Sequence, residues 1–178
     1  MNKLEGVEGY LSDTNRETIE KYINKLLETK DSLEVVDIGS LCGLSSITMA
    51  SCGKVKVHSV EPTHACKKIF EENVKNVGVD CTFYEMTSER FGTDYIPDEI
   101  DACFIDGVHR LNGVKLDLDL IACHVREGGY IMLHDNNLYH LDRLLDTYKG
   151  KMFKFIEEEE VEYLDGKPYG TVYVGERI

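Results

Sequence analysis

Two short stretches combine residue types that can hold a ligand. Val36-Asp37-Ile38-Gly39-Ser40-Leu41-Cys42-Gly43-Leu44-Ser45 puts an acidic side chain in an apolar run, then glycines, then the start of a helix. Glycines let the backbone approach a ligand, and the free N–H groups of a helix start receive an anion. A second apolar run ends in Ser59-Val60-Glu61-Pro62, with Glu61 22 residues past Gly39. An acidic side chain at that distance can accept the hydroxyl protons of a ribose. The loop departs from the dinucleotide fingerprint Gly-x-Gly-x-x-Gly, because Leu41 stands where the middle glycine would be. By itself it also suits a tight strand-to-helix turn, and Glu61 also suits a solvated strand end.

Such residues act only where a scaffold places them. Ile19, Tyr22, Ile23, Leu26 and Leu27 follow a helical period, and Thr14 with Glu17 fits a capping box at its start. Short runs rich in β-branched and apolar residues predict strands over Leu33–Ile38, Val55–Val60, Cys81–Glu85, Ile100–Ile105 and Tyr130–Leu133. Helices are expected over Ser45–Cys52 and Ala65–Val77. A further helix is expected from Asn112 to about Arg126, stopped by Gly128-Gly129, and another from Leu138 to Tyr148. Two extended runs, Met152–Ile156 and Tyr169–Val174, flank Asp165-Gly166, a hairpin signal, and Glu157–Glu160 reads as the solvated part of that hairpin. Alternating strands and helices imply an α/β fold: a parallel sheet with helices on both faces and a crevice at the carboxyl ends of the strands. The expected organisation is one domain over 1–178, with an N-terminal helix in 1–32, βα units in 33–148 and a terminal hairpin in 149–178.

Composition narrows the partners. Thirty-three Asp and Glu against 20 Lys and Arg leave a net charge of −13, which counts against nucleic acid or an anionic membrane as the main partner. Six cysteines without a Cys-x-x-Cys pair read as small hydrophobes. No apolar stretch approaches the length of a membrane span. These features predict a reduced, cytoplasmic protein.

Taken together, Asp37-x-Gly39-x-x-x-Gly43-x-Ser45 and Glu61 resemble motifs I and II of class I S-adenosylmethionine-dependent methyltransferases. The loop is similar in particular to that of the small-molecule O-methyltransferases of the catechol and caffeoyl-CoA type. The resemblance runs from Leu33 to the C-terminus, since the terminal hairpin matches the antiparallel final strand of that Rossmann-like, seven-stranded fold. It implies a cofactor site with Asp37, Gly39, Ser40, Gly43 and Ser45 at the methionine end and Glu61 at the ribose. Ser88 and Glu89 would then lie at the adenine, with Asp106 closing the site.

The fourth strand ends in Asp106-Gly107-Val108-His109 and the fifth in His134-Asp135-Asn136. This pairing also looks like the branch that holds antibiotic-sugar O-methyltransferases. In the catechol branch the matching positions bind a divalent ion, so the resemblance implies Asp106, Asp135 and Asn136 as ligands of Mg²⁺ or Mn²⁺. Three oxygen donors suit such a hard ion and not zinc. Asp106 and His109 are the catalytic candidates, His109 as the base that takes the acceptor's proton. Alternatives are a metal-independent enzyme using His109 alone and a binding protein that retains the nucleotide pocket. Only one helix precedes the first strand, where many relatives carry a larger lid. The pocket is therefore expected to be open or completed by a second copy, as in a homodimer. The expected substrate is a small-molecule hydroxyl compound.

Overall fold

A computed structural model of the chain describes residues 6–7, 9–135, 137, 141–161, 163–164 and 167–178. In chain order α1 (Asp13–Leu27) leads to β1 (Leu33–Ile38), α2 (Leu44–Ala50), β2 (Val55–Val60), α3 (His64–Val77) and β3 (Cys81–Tyr84). Then follow α4 (Ser88–Asp94), β4 (Ile100–Ile105), α5 (Leu111–Leu120), a 3₁₀ turn (Ala122–His124), β5 (Val125–His134) and α6 (Asp142–Tyr148). Antiparallel strands end the chain: β6 (Phe153–Glu158), the two-residue pair β7 (Tyr163–Leu164) and β8 (Lys167–Pro168), and β9 (Val172–Arg177).

The main sheet has seven strands in the order β3-β2-β1-β4-β5-β9-β6, while β7 and β8 form a separate ribbon. The first five strands are parallel, and β9 and β6 are antiparallel additions. After β3 the chain returns across β1 to lay down β4, so neighbouring connections diverge above the carboxyl ends of β1 and β4 and leave a crevice.

Alternation along the strands divides the core. Val36, Cys103, Ile105, Ile131 and Leu133 face α4, α5 and α6, where Phe91, Leu118 and Leu145 meet them. Val35, Ala102, Phe104 and Met132 face α1 and α2, meeting Ile19, Ile23 and Met49. At the amino-terminal edge of the sheet, Asp101 receives Lys30 Nζ at 2.5 Å, Arg126 Nε at 2.6 Å and the Glu34 N–H at 2.8 Å. These donors outweigh its burial and hold its carboxyl below the usual carboxylate range.

Several expectations are corrected. The capping box of α1 is Ser12 with Asn15, not Thr14 with Glu17. The helix expected to reach Arg126 ends at Leu120, and Gly128-Gly129 does not stop it but lies inside β5. Gly128 has φ +75°, and the register to β4 shifts between Ile100 and Ala102, so the two glycines lie in a break of the ladder between β4 and β5. The helix α4, begun by Thr87 at its N-cap, was not anticipated. The last helix is described only from Asp142, Leu138–His140 lying outside the described residues. The Asp165-Gly166 turn lies outside them as well. Glu157 and Glu159 are not merely solvated: Glu157 pairs with Lys21 at 2.7 Å and Glu159 accepts from the Val172 N–H at 2.8 Å. All six cysteines are free thiols, but only Cys103 is fully buried. No helix among the described residues is long and apolar enough to cross a membrane.

Candidate active site

The crevice is built first by backbone. Leaving β1, the chain turns through Gly39 (φ +86°), Leu41 (φ +43°) and Gly43 (φ +98°) before α2 begins. The values at the glycines belong to a region that ordinary side chains avoid. Asp37 anchors this loop from below. It is wholly buried and accepts the hydroxyls of Ser45, at 2.7 Å, and Ser46. Burial pushes its carboxyl up to about 7, the two hydroxyls opposing and the Asp106 and Glu61 charges adding. Its Oδ1 and the Ser40 hydroxyl are buried with no partner among the described residues.

One strand over, Glu61 is 4% exposed. Its Oε2 accepts the Leu41 N–H at 3.3 Å and its Oε1 accepts the Thr63 N–H at 2.8 Å. A carboxylate offers about four acceptor positions, so both oxygens retain capacity for a ligand's hydroxyls.

Opposite the loop stand the ends of β4 and β5. His109 places Nε2 3.6 Å from Asp106 Oδ1 and Nδ1 3.6 Å from Asp135 Oδ2. His134 lies deeper, with Nδ1 3.0 Å from Asp106 Oδ1 and 3.4 Å from Asp135 Oδ1. Burial works against a charge on His134, but Asp106, Asp135 and Glu159 outweigh it and raise its pKa above the imidazole norm. Burial also raises Asp135, the like charge of Asp106 adding to it and His134 and His109 opposing. Asp135 has φ +62°, rare for a side-chain-bearing residue and of the kind that marks functional sites. Its N–H is held by the Thr171 carbonyl at 3.0 Å, and Gly170 lies so close that a Cβ there would overlap the Asp135 carboxylate.

One cavity of about 580 Å³ joins the two halves. Of the residues expected from sequence, Gly39, Glu61, Ser88, Asp106, His109 and Asp135 line it. Asp37, Ser40, Gly43 and Ser45 do not; they shape and anchor the loop behind its wall. Glu89 is exposed on α4 and away from the wall, and Asn136 lies outside the described residues. The structure adds Thr87, Tyr169 and Gly170 to the lining and places there His134, already read from the sequence at the end of the fifth strand. For His134 a signal existed, its place beside Asp135 at a strand end. For Tyr169 and Gly170 there was none, since only the fold of the tail brings them here.

The strand order, with its antiparallel final pair, is a Rossmann-like arrangement shared with known methyltransferases. A family model described as a methyltransferase domain matches residues 36–136, from β1 to the end of β5. The chain belongs to this methyltransferase domain family. A curated relative, an uncharacterized protein of Acanthamoeba polyphaga mimivirus, is 30% identical over 122 residues, covering 62% of this chain and 54% of its own length. The chain thus spans about half of that relative. Among solved structures, a protein from Klebsiella pneumoniae assigned as an O-methyltransferase aligns with TM-score 0.75 at 14% identity, over 97% of this chain and 84% of its own. An rRNA methylase from Streptococcus thermophilus aligns with TM-score 0.72 at 13% identity, over 93% and 95%. A cofactor-bound protein from MTB aligns with TM-score 0.75 at 15% identity, over 94% and 81%. At these identities the likeness is one of fold.

Proposed function

We propose that this protein transfers a methyl group from S-adenosylmethionine to a hydroxyl oxygen of a small molecule, assisted by a divalent ion. The observation that carries the reading is the continuous cavity from Gly39 and Glu61 to Asp106, His109 and Asp135. The residues fit the cofactor: Glu61 has acceptor capacity for a ribose diol, Thr87 and Ser88 stand at the far wall, and Ser40 Oγ and Asp37 Oδ1, buried at the loop behind the near wall, have no partner among the described residues. When bound, S-adenosylmethionine supplies a methyl group already activated on a sulfonium.

The protein's task is then to align the acceptor for in-line attack and to remove its proton. His109 faces both carboxylates and can hold that proton on a ring nitrogen while Asp106 and Asp135 offset its charge. Asp106 and Asp135 would hold the ion, with Asn136 as the resemblance implies. Converging carboxylates suit Mg²⁺ or Mn²⁺, and the ion would supply Lewis acidity that lowers the pKa of a hydroxyl. An RNA acceptor, the substrate class in the name of the streptococcal neighbour, is disfavoured by the net charge of −13.

Calorimetry with S-adenosylhomocysteine, with NAD⁺ as control, tests the cofactor. A turnover screen over catechols, sugars, flavonoids and RNA, with EDTA and with added divalent ion, tests the rest. Absence of S-adenosylhomocysteine binding at sub-millimolar concentration would end the reading. Binding without turnover on any acceptor would favour a binding protein of the same fold.

A further inference from the structure

The amide of Asn15, on the first turn of α1, is 1% exposed and its orientation is fixed by its surroundings. Its Nδ2 donates to Glu159 Oε2 at 2.6 Å and to the Gly170 carbonyl at 2.9 Å. Its Oδ1 accepts the Ser12 N–H at 2.9 Å. Flipping the amide would set its NH₂ against a backbone N–H and its oxygen against two acceptors, so the assignment is unambiguous.

That oxygen lies 3.3 Å from His134 Nε2. An amide oxygen only accepts, so Nε2 carries the hydrogen and Nδ1 is the nitrogen turned toward Asp106 and Asp135. Facing ionised Asp106 Oδ1 at 3.0 Å, Nδ1 donates a hydrogen when no ion is bound; a bound ion would displace that proton and take the nitrogen's lone pair. The Nδ1 distances of 3.0 and 3.4 Å to the two carboxylate oxygens are close to the roughly 3 Å that separates neighbouring ligands on an ion with bonds of about 2.1 Å. Ligand atoms of Asp106, His134 and Asp135 all lie within 4.8 Å of one another.

We infer that His134 Nδ1 is a metal ligand, forming with Asp106 and Asp135 a mixed nitrogen–oxygen site for Mn²⁺ or a later first-row ion in preference to Mg²⁺, and that Asn15 is the positioning residue that presents this nitrogen. The inference rests on the divalent-ion part of the proposed function and sharpens it. Imidazole suits the transition ions, whereas Mg²⁺ keeps to oxygen and water. A ligating histidine is oriented by what its other nitrogen donates to, and loss of that partner typically costs ten- to a hundredfold in metal affinity. Asn15 lies outside the stretch that the methyltransferase domain model matches, 36–136. Its partners Glu159 and Gly170 lie outside it too, so both ends of the chain meet at this ligand.

The test uses the full chain freed of metal, with Mn²⁺ and Mg²⁺ alone as probes. Loss of the free Mn²⁺ resonance gives affinity, Mg²⁺ competition gives selectivity, and electron spin-echo modulation reports nitrogen bound to Mn²⁺. Mn²⁺ should bind at least tenfold more tightly than Mg²⁺. A ¹⁴N coupling should be present, disappear in His134→Ala and persist in His109→Ala. Asn15→Ala should weaken Mn²⁺ about ten- to a hundredfold, with S-adenosylhomocysteine affinity within a few-fold. Asn15 also caps α1; if that variant does not fold, His134→Ala, which leaves the cap intact, decides the matter. A nitrogen coupling that survives His134→Ala, or Mg²⁺ that displaces Mn²⁺ at equal concentration, overturns the inference. S-adenosylhomocysteine binding with no metal binding removes both this site and the divalent-ion reading, leaving methyl transfer in place. Metal binding as expected without S-adenosylhomocysteine binding removes the cofactor reading and leaves this site standing.

Discussion

Gly39 and Asp106 meet backbone to backbone where β1 and β4 end. The Asp106 N–H donates to the Ile38 carbonyl at 2.8 Å, and the Asp106 carbonyl fills the space a Cβ on Gly39 would need. The glycine loop after β1 and the carboxylate at the end of β4 are therefore spaced by main chain alone. Gly39→Ala should force these strand ends apart, costing about 2 kcal/mol or more of stability and at least tenfold in S-adenosylhomocysteine affinity. Gly78 has a similar φ of +78° but open space around it. Gly78→Ala should cost about 1 kcal/mol and leave that affinity unchanged. Thermal unfolding and calorimetry on the two variants separate steric from conformational cost.

Glu61 orders Leu41 and Thr63 through their N–H groups, and in the proposed function it also offers acceptors to a ribose. Glu61→Gln keeps the shape but replaces one oxygen with a donor and removes the charge. Hydrogen bonds to a charged group contribute about 1.5–3 kcal/mol each, so S-adenosylhomocysteine should bind roughly ten- to a hundredfold more weakly. An unchanged dissociation constant by calorimetry would remove Glu61 from the cofactor site.

Acceptor chemistry should separate from cofactor binding. Asp135→Asn is expected to lower kcat while S-adenosylhomocysteine affinity stays within a few-fold, because the Asp135 side chain faces His109 and His134 and not the loop. EDTA should abolish turnover, and a divalent ion should restore it. Full activity in EDTA would shift the chemistry onto His109 alone.

Acid should weaken the fold through Asp101. Its carboxyl is held below the ordinary range in the native state, so it releases its proton more readily there than when unfolded. The stability it contributes is complete above the ordinary carboxylate pKa, about 4, and is lost as pH falls through the lower native value. Asp101→Asn should cost about 2 kcal/mol at neutral pH, the half-exposed Lys30 contributing little, and should flatten the acid limb of a urea-unfolding series.

Asp37 has the opposite sign. Pushed up to about 7 by burial, it holds a proton in the native state that the unfolded chain releases above about pH 4. Between those values the native state binds more protons, so stability falls as pH rises, and above about 7 the loss is complete. The difference between wild type and Asp37→Asn in denaturant series from pH 4 to 8 should display that slope.

The strand ends were legible because β-branched runs mark strands and the residues after them then stand out: Gly39 and Glu61 were read this way, whereas Asp106 and Asp135 were singled out only through the resemblance to methyltransferases. Residues whose neighbours are distant in the chain were not. Asn15 and His134 are 119 positions apart, and nothing in a capping residue's surroundings announces such a partner. Glu159 sat in a charge run that resembled solvated surface, although one of its oxygens is tied to Asn15. Gly128-Gly129 carried a true signal for a break in regular structure, but the same glycines serve a helix stop and an interrupted strand, and only pairing with β4 distinguishes the two.

The place of β9 has a temporal consequence. It follows β6 in the chain, yet it lies between β5 and β6 and is, among the described residues, the only strand of the sheet that β6 pairs with. As the polypeptide emerges from the ribosome, five parallel strands can assemble while β6 waits for its native partner and the β5 edge that β9 will cover stays open. The side of the crevice at β1 and β2 is then already framed, whereas Gly170 and the Thr171 carbonyl that holds Asp135 are made only after β6. A nascent chain would thus form the Gly39 and Glu61 side of the crevice before the Asp135 side is held in place.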